Sequence, residues 1–180
     1  MKLPHTLKRN TQLSLLTLSC ALTGLMSAQA QAETPQKFSA KIAGMNFESD
    51  DASILHLIPS KGVINIIAAT KGASAYPPPK TPIDKLSIIC RNFEAKPVVY
   101  TAKDFGNHGC EVTFTKNESK KPFGEPEAEY RIRDGKNSLE ITSVKGKVIE
   151  GKFSFEMIDK KTGNKISVTE GVFKVEDRQL

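Results

Sequence analysis

Two cysteines and two histidines are the residues of this chain whose types and spacing could support chemistry. Cys90 and Cys110 bracket a polar loop, His108 stands just before the second cysteine, and His56 lies upstream. Thiolates and imidazoles can bind zinc, and a low-pKa thiol beside a histidine can act as a nucleophile. In an oxidising compartment, however, two cysteines most simply form one disulfide. We therefore predict a Cys90–Cys110 disulfide worth about 3 kcal/mol, with the metal site and the nucleophile as alternatives.

No other pattern in the sequence specifies a reaction. The phosphate-binding patterns GxxxxGK[ST] and GxGxxG do not occur. Glu140, Glu150 and Glu156 belong to predicted strands or their ends, and no second carboxylate stands where it would face one of them, so a glycosidase pair is not indicated. We expect no catalytic residues, no cofactor-binding residues, no metal ligands and no cofactor.

The elements that must position these residues are predicted to be β-strands. Apolar and polar residues alternate along most of the chain after residue 36, which is the period of a half-buried strand. Turn residues such as those at 134–135 and 161–164 interrupt the alternation about every ten residues, a spacing typical of sandwiches and barrels. No helical period is sustained. We predict an all-β fold, an antiparallel sandwich or barrel of roughly 8–10 short strands with little helix.

Two local expectations concern the predicted hairpin of residues 53–68. Residues 63–68 are apolar at nearly every position, which predicts a central strand buried on both faces. His56 alternates with Leu55 and Leu57, so it is expected at an exposed position or at one with satisfied hydrogen bonds.

A proline-rich segment within residues 70–82 is a candidate interaction loop. Tyr76 is followed by Pro77, Pro78 and Pro79, which cannot donate backbone hydrogen bonds to a sheet and favour an extended helix. A stiff connector explains the segment without any binding role. The functional alternatives are a ligand for an aromatic-lined groove, a lip over a pocket, or a plug for the cleft of a hydrolase.

Residues 1–32 have the three-part order of a secretory signal peptide. A basic start (Lys2, Lys8 and Arg9) precedes the apolar run 13–26 and two small-x-small triplets that end at residues 30 and 32. The apolar run is shorter than the roughly 20 residues that span a bilayer. Cys20 raises the alternative of a lipoprotein, but Thr17 stands where a lipobox has leucine. We predict a signal peptide (1–32), a single β domain (33–180) without a transmembrane segment, and a periplasmic or secreted location.

Removal of the signal peptide also lowers the charge of the working chain. The signal holds three of the 26 basic residues and none of the 20 acidic ones, so the net charge falls from +6 to +3. A charge of this size is ordinary for a soluble domain and does not indicate nucleic-acid binding. Lysine clusters near residues 116–121 and 145–165 are typical of solvated turns and protected strand edges, with an acidic partner surface as the alternative.

Glycines and alternating apolar residues at both ends of the β domain carry a resemblance. Residues 38–47 follow F-x-A-x-I-x-G-x-x-F, and residues 151–173 follow G-x-F-S-F…I-x-V-x-x-G-x-F. The sequence resembles a loose group of exported bacterial β-proteins of unknown function, many of them lipoproteins. The resemblance implies an exported β domain, and it transfers no functional residue because such motifs describe how sheets are built.

These observations predict a binding protein of the bacterial envelope and not an enzyme. The expected partner is another protein or a small apolar or envelope ligand, with no nucleic acid. The first alternative is a periplasmic inhibitor that inserts the proline-rich loop into a hydrolase. The second is an uncharacterised hydrolase.

Overall fold

The computed structural model describes residues 35–106, 108–118 and 124–178, so the predicted signal peptide and Cys20 lie outside the described residues. The eleven strands are β1 (Lys37–Ile42), β2 (Met45–Ser49), β3 (Ile54–Ser60), β4 (Val63–Ala69), β5 (Lys85–Arg91), β6 (Val98–Thr101), β7 (Cys110–Lys116), β8 (Ala128–Ile132), β9 (Ser138–Lys145), β10 (Val148–Asp159) and β11 (Lys165–Glu176). Helical structure in these ranges is limited to two single 3₁₀ turns. The all-β prediction is confirmed, with eleven strands where the sequence predicted roughly 8–10.

The strands form one antiparallel sheet that nearly closes into a barrel. Its main path runs β2-β1-β11-β10-β8-β7-β5-β4-β3. The first part of β10 pairs with β9, which also pairs with β6, and the last residues of β10 pair with β8. One face of β10 is buried at alternate positions along its whole length, so a single long strand lines the interior in both parts of the sheet.

The seam of the barrel lies between β2 and β3, the two end strands of the main path. It is closed by a buried glutamine and by a loop. The side chain of Gln36 donates to the carbonyl of Ile54 at 3.2 Å and accepts from the amide of Glu176 at 2.9 Å. Beyond it, the amide of Lys71 donates to the carbonyl of Glu48 at 2.8 Å. These bonds give partners to backbone groups that an open sheet edge would leave exposed.

Two glycine–phenylalanine pairs determine the packing between β10 and β11. Gly151 lies directly opposite Phe173, and Phe153 lies directly opposite Gly171. Each ring covers the opposite glycine, since a Cβ at Gly171 would lie 2.3 Å from Cε2 of Phe153 and a Cβ at Gly151 would lie 2.4 Å from Cζ of Phe173. Both rings pack against Phe38 of β1, with centroid distances of 5.1 Å from Phe153 and 6.4 Å from Phe173.

The hairpin of β3 and β4 departs from both local expectations. β4 alternates between buried and half-buried residues and is not buried on both faces. His56 is 2% exposed, whereas Leu55 is 47% exposed. The physical reason is the register: His56 lies opposite Ile66, and directly opposed residues share a face of the sheet. The fully buried Ile66 therefore brings His56 into the interior.

Candidate functional site

The two cysteines are joined across neighbouring strands. Cys90 and Cys110 lie directly opposite each other on β5 and β7, their sulfur atoms are 2.00 Å apart, and both residues are fully buried. The predicted disulfide is confirmed, and neither sulfur is a free thiol that could serve as a nucleophile. Among the residues that the structure describes, no three His, Cys, Asp or Glu side chains are grouped so that they could hold a metal ion.

The two histidines occupy different environments. His108 is exposed on the rim of a surface cavity of about 420 Å³ that also contains Arg91 and Tyr100. The Nδ1 atom of His56 lies 3.3 Å from the carbonyl oxygen of Asn65, and its Nε2 atom has no hydrogen-bond partner among the described residues. Burial lowers the pKa of His56, opposed by the Asn65 carbonyl and by the charge of Asp177. His56 is therefore a buried imidazole that favours the neutral form.

The proline-rich loop projects from an anchored base. The amide of Gly72 donates to Oδ2 of Asp50 at 2.8 Å, and the hydroxyl of Ser74 donates to the carbonyl of Ala52 at 2.7 Å. Beyond this base the side chain of Tyr76 is 96% exposed. Residues 76–79 line neither the surface cavity beside His108 nor three other cavities of the described part of the chain, so the loop is not a lip over these four.

One end of the barrel contains a cavity of about 270 Å³ that the sequence did not predict. It lies where the β1–β2 turn, the starts of β5 and β11, and the end of β7 come together. Its wall is mainly apolar, with three polar or charged side chains and the phenol of one tyrosine. The lining residues are Ile42, Ala43, Met45, Asn46, Phe47, Asp84, Phe114, Lys116, Tyr130 and Ile166. We call it the end cavity.

Three aromatic rings form one wall of the end cavity. Phe114 and Tyr130 lie directly opposite each other on β7 and β8, with ring centroids 5.9 Å apart. Phe47 of β2 meets Phe114 edge to face at 6.4 Å. Such arrangements complement the ring quadrupoles and hold the rings in place. The wall is therefore a preformed surface for a flat or branched apolar group.

The rim of the end cavity is fixed by a tight turn. Ile42 pairs with Met45, and the two turn residues Ala43 and Gly44 have φ angles of 50° and 80°. A two-residue hairpin with two positive φ angles matches the right-handed twist of its strands, and glycine takes this conformation without strain. The amide of Ala43 also donates to the carbonyl of Ser167 at 2.9 Å, which ties the turn to β11.

Two opposite charges stand beside the aromatic wall. The carboxylate of Asp84 accepts from the amide of Asn117 at 2.8 Å, which places it next to Lys116. Lys116 forms an ion pair with Glu127, and this pair is exposed. Glu127 raises the pKa of Lys116, and Tyr130 and Asp84 add smaller contributions in the same direction. Lys116 is therefore a cation in the neighbourhood of a carboxylate that also lines the cavity.

The sequence could not have indicated this site, because its residues come from five separate segments of the chain. Phe114 and Tyr130 were recognisable as inward positions of alternating strands, but their meeting depends on a register that alternation does not specify. Asp84 lies in a loop whose course is set by the partners of its backbone and side chain.

The chain matches no protein-family model, no curated protein and no solved structure. Within the described ranges, no helix has the length and apolar character needed to cross a membrane.

Proposed function

We propose that the protein is exported and acts as a non-enzymatic binding protein that holds the apolar part of a small ligand in the end cavity. The observation that carries this proposal is the aromatic wall of Phe47, Phe114 and Tyr130 around unfilled space. Binding sites for small molecules are mostly apolar hollows with a few polar groups, and they commonly lie at the mouths of barrels. A volume of about 270 Å³ suits a ligand smaller than a typical drug.

The composition of the cavity wall supports the proposal that the cavity binds a ligand and does not catalyse a reaction on it. Within the described part of the chain, the lining residues include no Ser, Thr, Cys or His, so no hydroxyl or thiol nucleophile stands beside an imidazole base there. Lys116 and Asp84 can orient a ligand by charge. Saturable turnover of an ester, peptide or glycan that is lost when a lining residue is changed would contradict this part of the proposal.

Export is supported by the three-part pattern of residues 1–32 and by the buried disulfide, which is typical of proteins in oxidising compartments. We expect mass spectrometry of the protein recovered from the periplasm to show a chain that starts at Gln31 or Glu33. An acylated Cys20 at the amino terminus would contradict this processing and would identify a lipoprotein.

Ligand binding is tested with phenylethanol, a small neutral molecule that has one aromatic ring. Met45 lines the cavity and is 65% exposed, so its labelled methyl group is an NMR reporter at the rim. We expect a saturable shift of this signal. Ile166→Phe, which adds a ring at the cavity wall, should weaken the response. Val172→Phe is the matched control because Val172 lies on the same strand at an exposed position away from the cavity. No saturable shift with phenylethanol or with its charged relatives phenylpropionate, phenethylamine and L-phenylalanine would contradict the proposal, and so would equal weakening in both variants.

A second function is favoured by the exposure of Tyr76. An aromatic side chain that is 96% exposed on a loop with an anchored base has the shape of a plug for the cleft of another protein. In this function the protein inhibits a hydrolase whose cleft accepts an aromatic ring. Residual activity of serine, cysteine and metal-dependent hydrolases should then fall on addition of the protein. Tyr76→Ser should abolish that inhibition and Tyr76→Phe should retain it, whereas equal inhibition by both variants would exclude the loop.

A further inference from the structure

The end cavity combines an aromatic interior with two opposite charges at its rim. We propose that its ligand is a free amino acid with an aromatic or branched apolar side chain, whose ammonium group meets Asp84 and whose carboxylate meets Lys116. This inference rests on the proposed function, because it names the ligand class of the same cavity.

The positions of the two charges favour a ligand that carries both. Asp84 and Lys116 line the same cavity, and the hydrogen bond from the amide of Asn117 to Oδ1 of Asp84 at 2.8 Å keeps the carboxylate beside the lysine. A ligand with only a negative charge would bring that charge close to Asp84. A ligand with only a positive charge would meet Lys116 in the same way. A zwitterion satisfies both groups at once.

Both charged groups can accept a new partner at little cost. Lys116 is paired with Glu127, but their side chains are 41% and 51% exposed, and exposed ion pairs contribute little to stability. A ligand carboxylate can therefore replace Glu127 or share the ammonium group, which has three donors. The side chain of Asp84 accepts the bond from the Asn117 amide through Oδ1, and an ionised carboxylate has about four acceptor positions, so capacity is left for a ligand ammonium group.

The apolar part of the cavity accounts for the side chain of the ligand. Phe47 and Phe114 meet at 90° with Tyr130 beside them, so the ring of a ligand can pack against an edge or a face of this wall. The volume of about 270 Å³ is just below the roughly 300–1,000 Å³ of sites for drug-sized ligands, which suits a single amino acid.

Four related molecules distinguish the contribution of the two charges to binding affinity from the contribution of the aromatic ring. L-Phenylalanine carries both charges, phenylpropionate lacks the ammonium group, phenethylamine lacks the carboxylate, and phenylethanol is neutral. Each is titrated into the periplasmic protein while the Met45 methyl signal is followed. We expect L-phenylalanine to bind about tenfold or more tighter than each of the other three, as charge-assisted hydrogen bonds would require.

The outcomes distinguish the ligand class from the proposed function. If phenylethanol binds as tightly as L-phenylalanine, the apolar cavity is real and the amino-acid inference is overturned. If phenylpropionate or phenethylamine binds as tightly as L-phenylalanine, one of the two ligand charges contributes nothing to binding, and the inference is also overturned. If none of the four shifts the Met45 signal, both the inference and the proposed function fail.

Substitutions at the rim provide an independent test. Asp84→Asn keeps a side-chain oxygen that can accept the Asn117 amide, and Lys116→Met removes only an exposed ion pair, so both variants should fold. Each should remove most of the preference for L-phenylalanine over phenylethanol. Asp134→Asn and Lys136→Met, at exposed positions between β8 and β9, are matched controls that should leave the preference unchanged. An unchanged preference in Asp84→Asn and Lys116→Met would overturn the inference.

Discussion

Replacing Gly171 by alanine is expected to destabilise the protein through the ring of Phe153. Gly171 is buried in β11, and a Cβ built there would lie 2.3 Å from Cε2 and 2.4 Å from Cδ2 of that ring. Non-bonded carbon atoms prefer separations of about 3.5–4.0 Å. The ring would have to move by about 1 Å or more, although the ring centroids of Phe38 and Phe155 lie only 5.1 and 5.2 Å from its own.

The expected magnitude follows from two opposing effects. Adding a methyl group to a well-packed core costs about 1–3 kcal/mol. Alanine also has less conformational freedom than glycine in the unfolded chain, and this difference stabilises the folded protein by about 0.4–1 kcal/mol. We therefore expect Gly171→Ala to lower the free energy of unfolding by about 1–2 kcal/mol. Phe153→Ala alone should cost about 3–5 kcal/mol, because it leaves a cavity in the aromatic cluster.

The double variant tests whether the clash is the cause. Urea unfolding of the wild type, the two single variants and the double variant forms a thermodynamic cycle. Once the ring of Phe153 is gone, the atoms nearest to a Cβ at position 171 are gone with it. The double variant should therefore be more stable than the sum of the single effects by the cost of the clash, about 1–3 kcal/mol. Effects that add within about 0.5 kcal/mol would refute the reasoning.

The reciprocal pair provides a control with a different expected result. A Cβ at Gly151 would lie 2.4 Å from Cζ of Phe173 and also 2.4 Å from the backbone carbonyl oxygen of Glu140. Removing the ring of Phe173 leaves the collision with the backbone. The coupling between Gly151→Ala and Phe173→Ala should therefore be clearly smaller than the coupling between positions 171 and 153.

Three further predictions concern the disulfide, the buried histidine and the seam. Replacing Cys90 and Cys110 by alanine should cost about 2–5 kcal/mol, and a thiol assay of the unfolded, unreduced periplasmic protein should detect neither of these two as a free thiol. Burial lowers the pKa of His56 below 6.5, so the unfolded chain binds this proton more readily than the folded protein does. The free energy of unfolding should therefore be level above about pH 7 and fall as the pH decreases below about 6.5, and His56→Leu should flatten that slope in urea titrations; an unchanged slope would contradict the assignment. Gln36→Ala should cost about 1–3 kcal/mol by leaving buried backbone groups unpaired, and hydrogen exchange at the Glu176 amide should become faster.

The sequence was sufficient for the fold class and for the disulfide. Alternation of period two survives in the structure along β7 and β10 because each of these strands has one buried face, and in β11 it is interrupted once, at residues 169–170. The cysteines could be paired because two cysteines in an oxidising compartment most simply form one disulfide, and the register places them directly opposite each other. Local pattern and compartment were enough for both conclusions.

The end cavity and the burial of His56 could not be predicted from the sequence, because both depend on which residues distant in the chain lie opposite each other. His56 is buried because β3 pairs with β4 in the register that opposes it to Ile66, and a shift of one residue would have exposed it. The neighbours Leu55 and Leu57 suggested the opposite face. Likewise, Asp84 lines the end cavity because Thr70 holds its backbone and because the amide of Asn117, just after β7, donates to its carboxylate.

The bond between Gln36 and the amide of Glu176 also constrains when the barrel can form. It joins residues 140 positions apart, and β1 makes its second strand pairing with β11. Until β11 can join the sheet, β1 pairs only with β2, and the edge of β1 that faces β11 in the finished barrel has no neighbouring strand. Long-range pairings of this kind slow folding because a large loop must close first. If the chain emerges from the ribosome or from a membrane channel with its amino terminus first, the barrel therefore cannot close until β11, the final strand, has emerged. Until then the sheet keeps an open side next to β1.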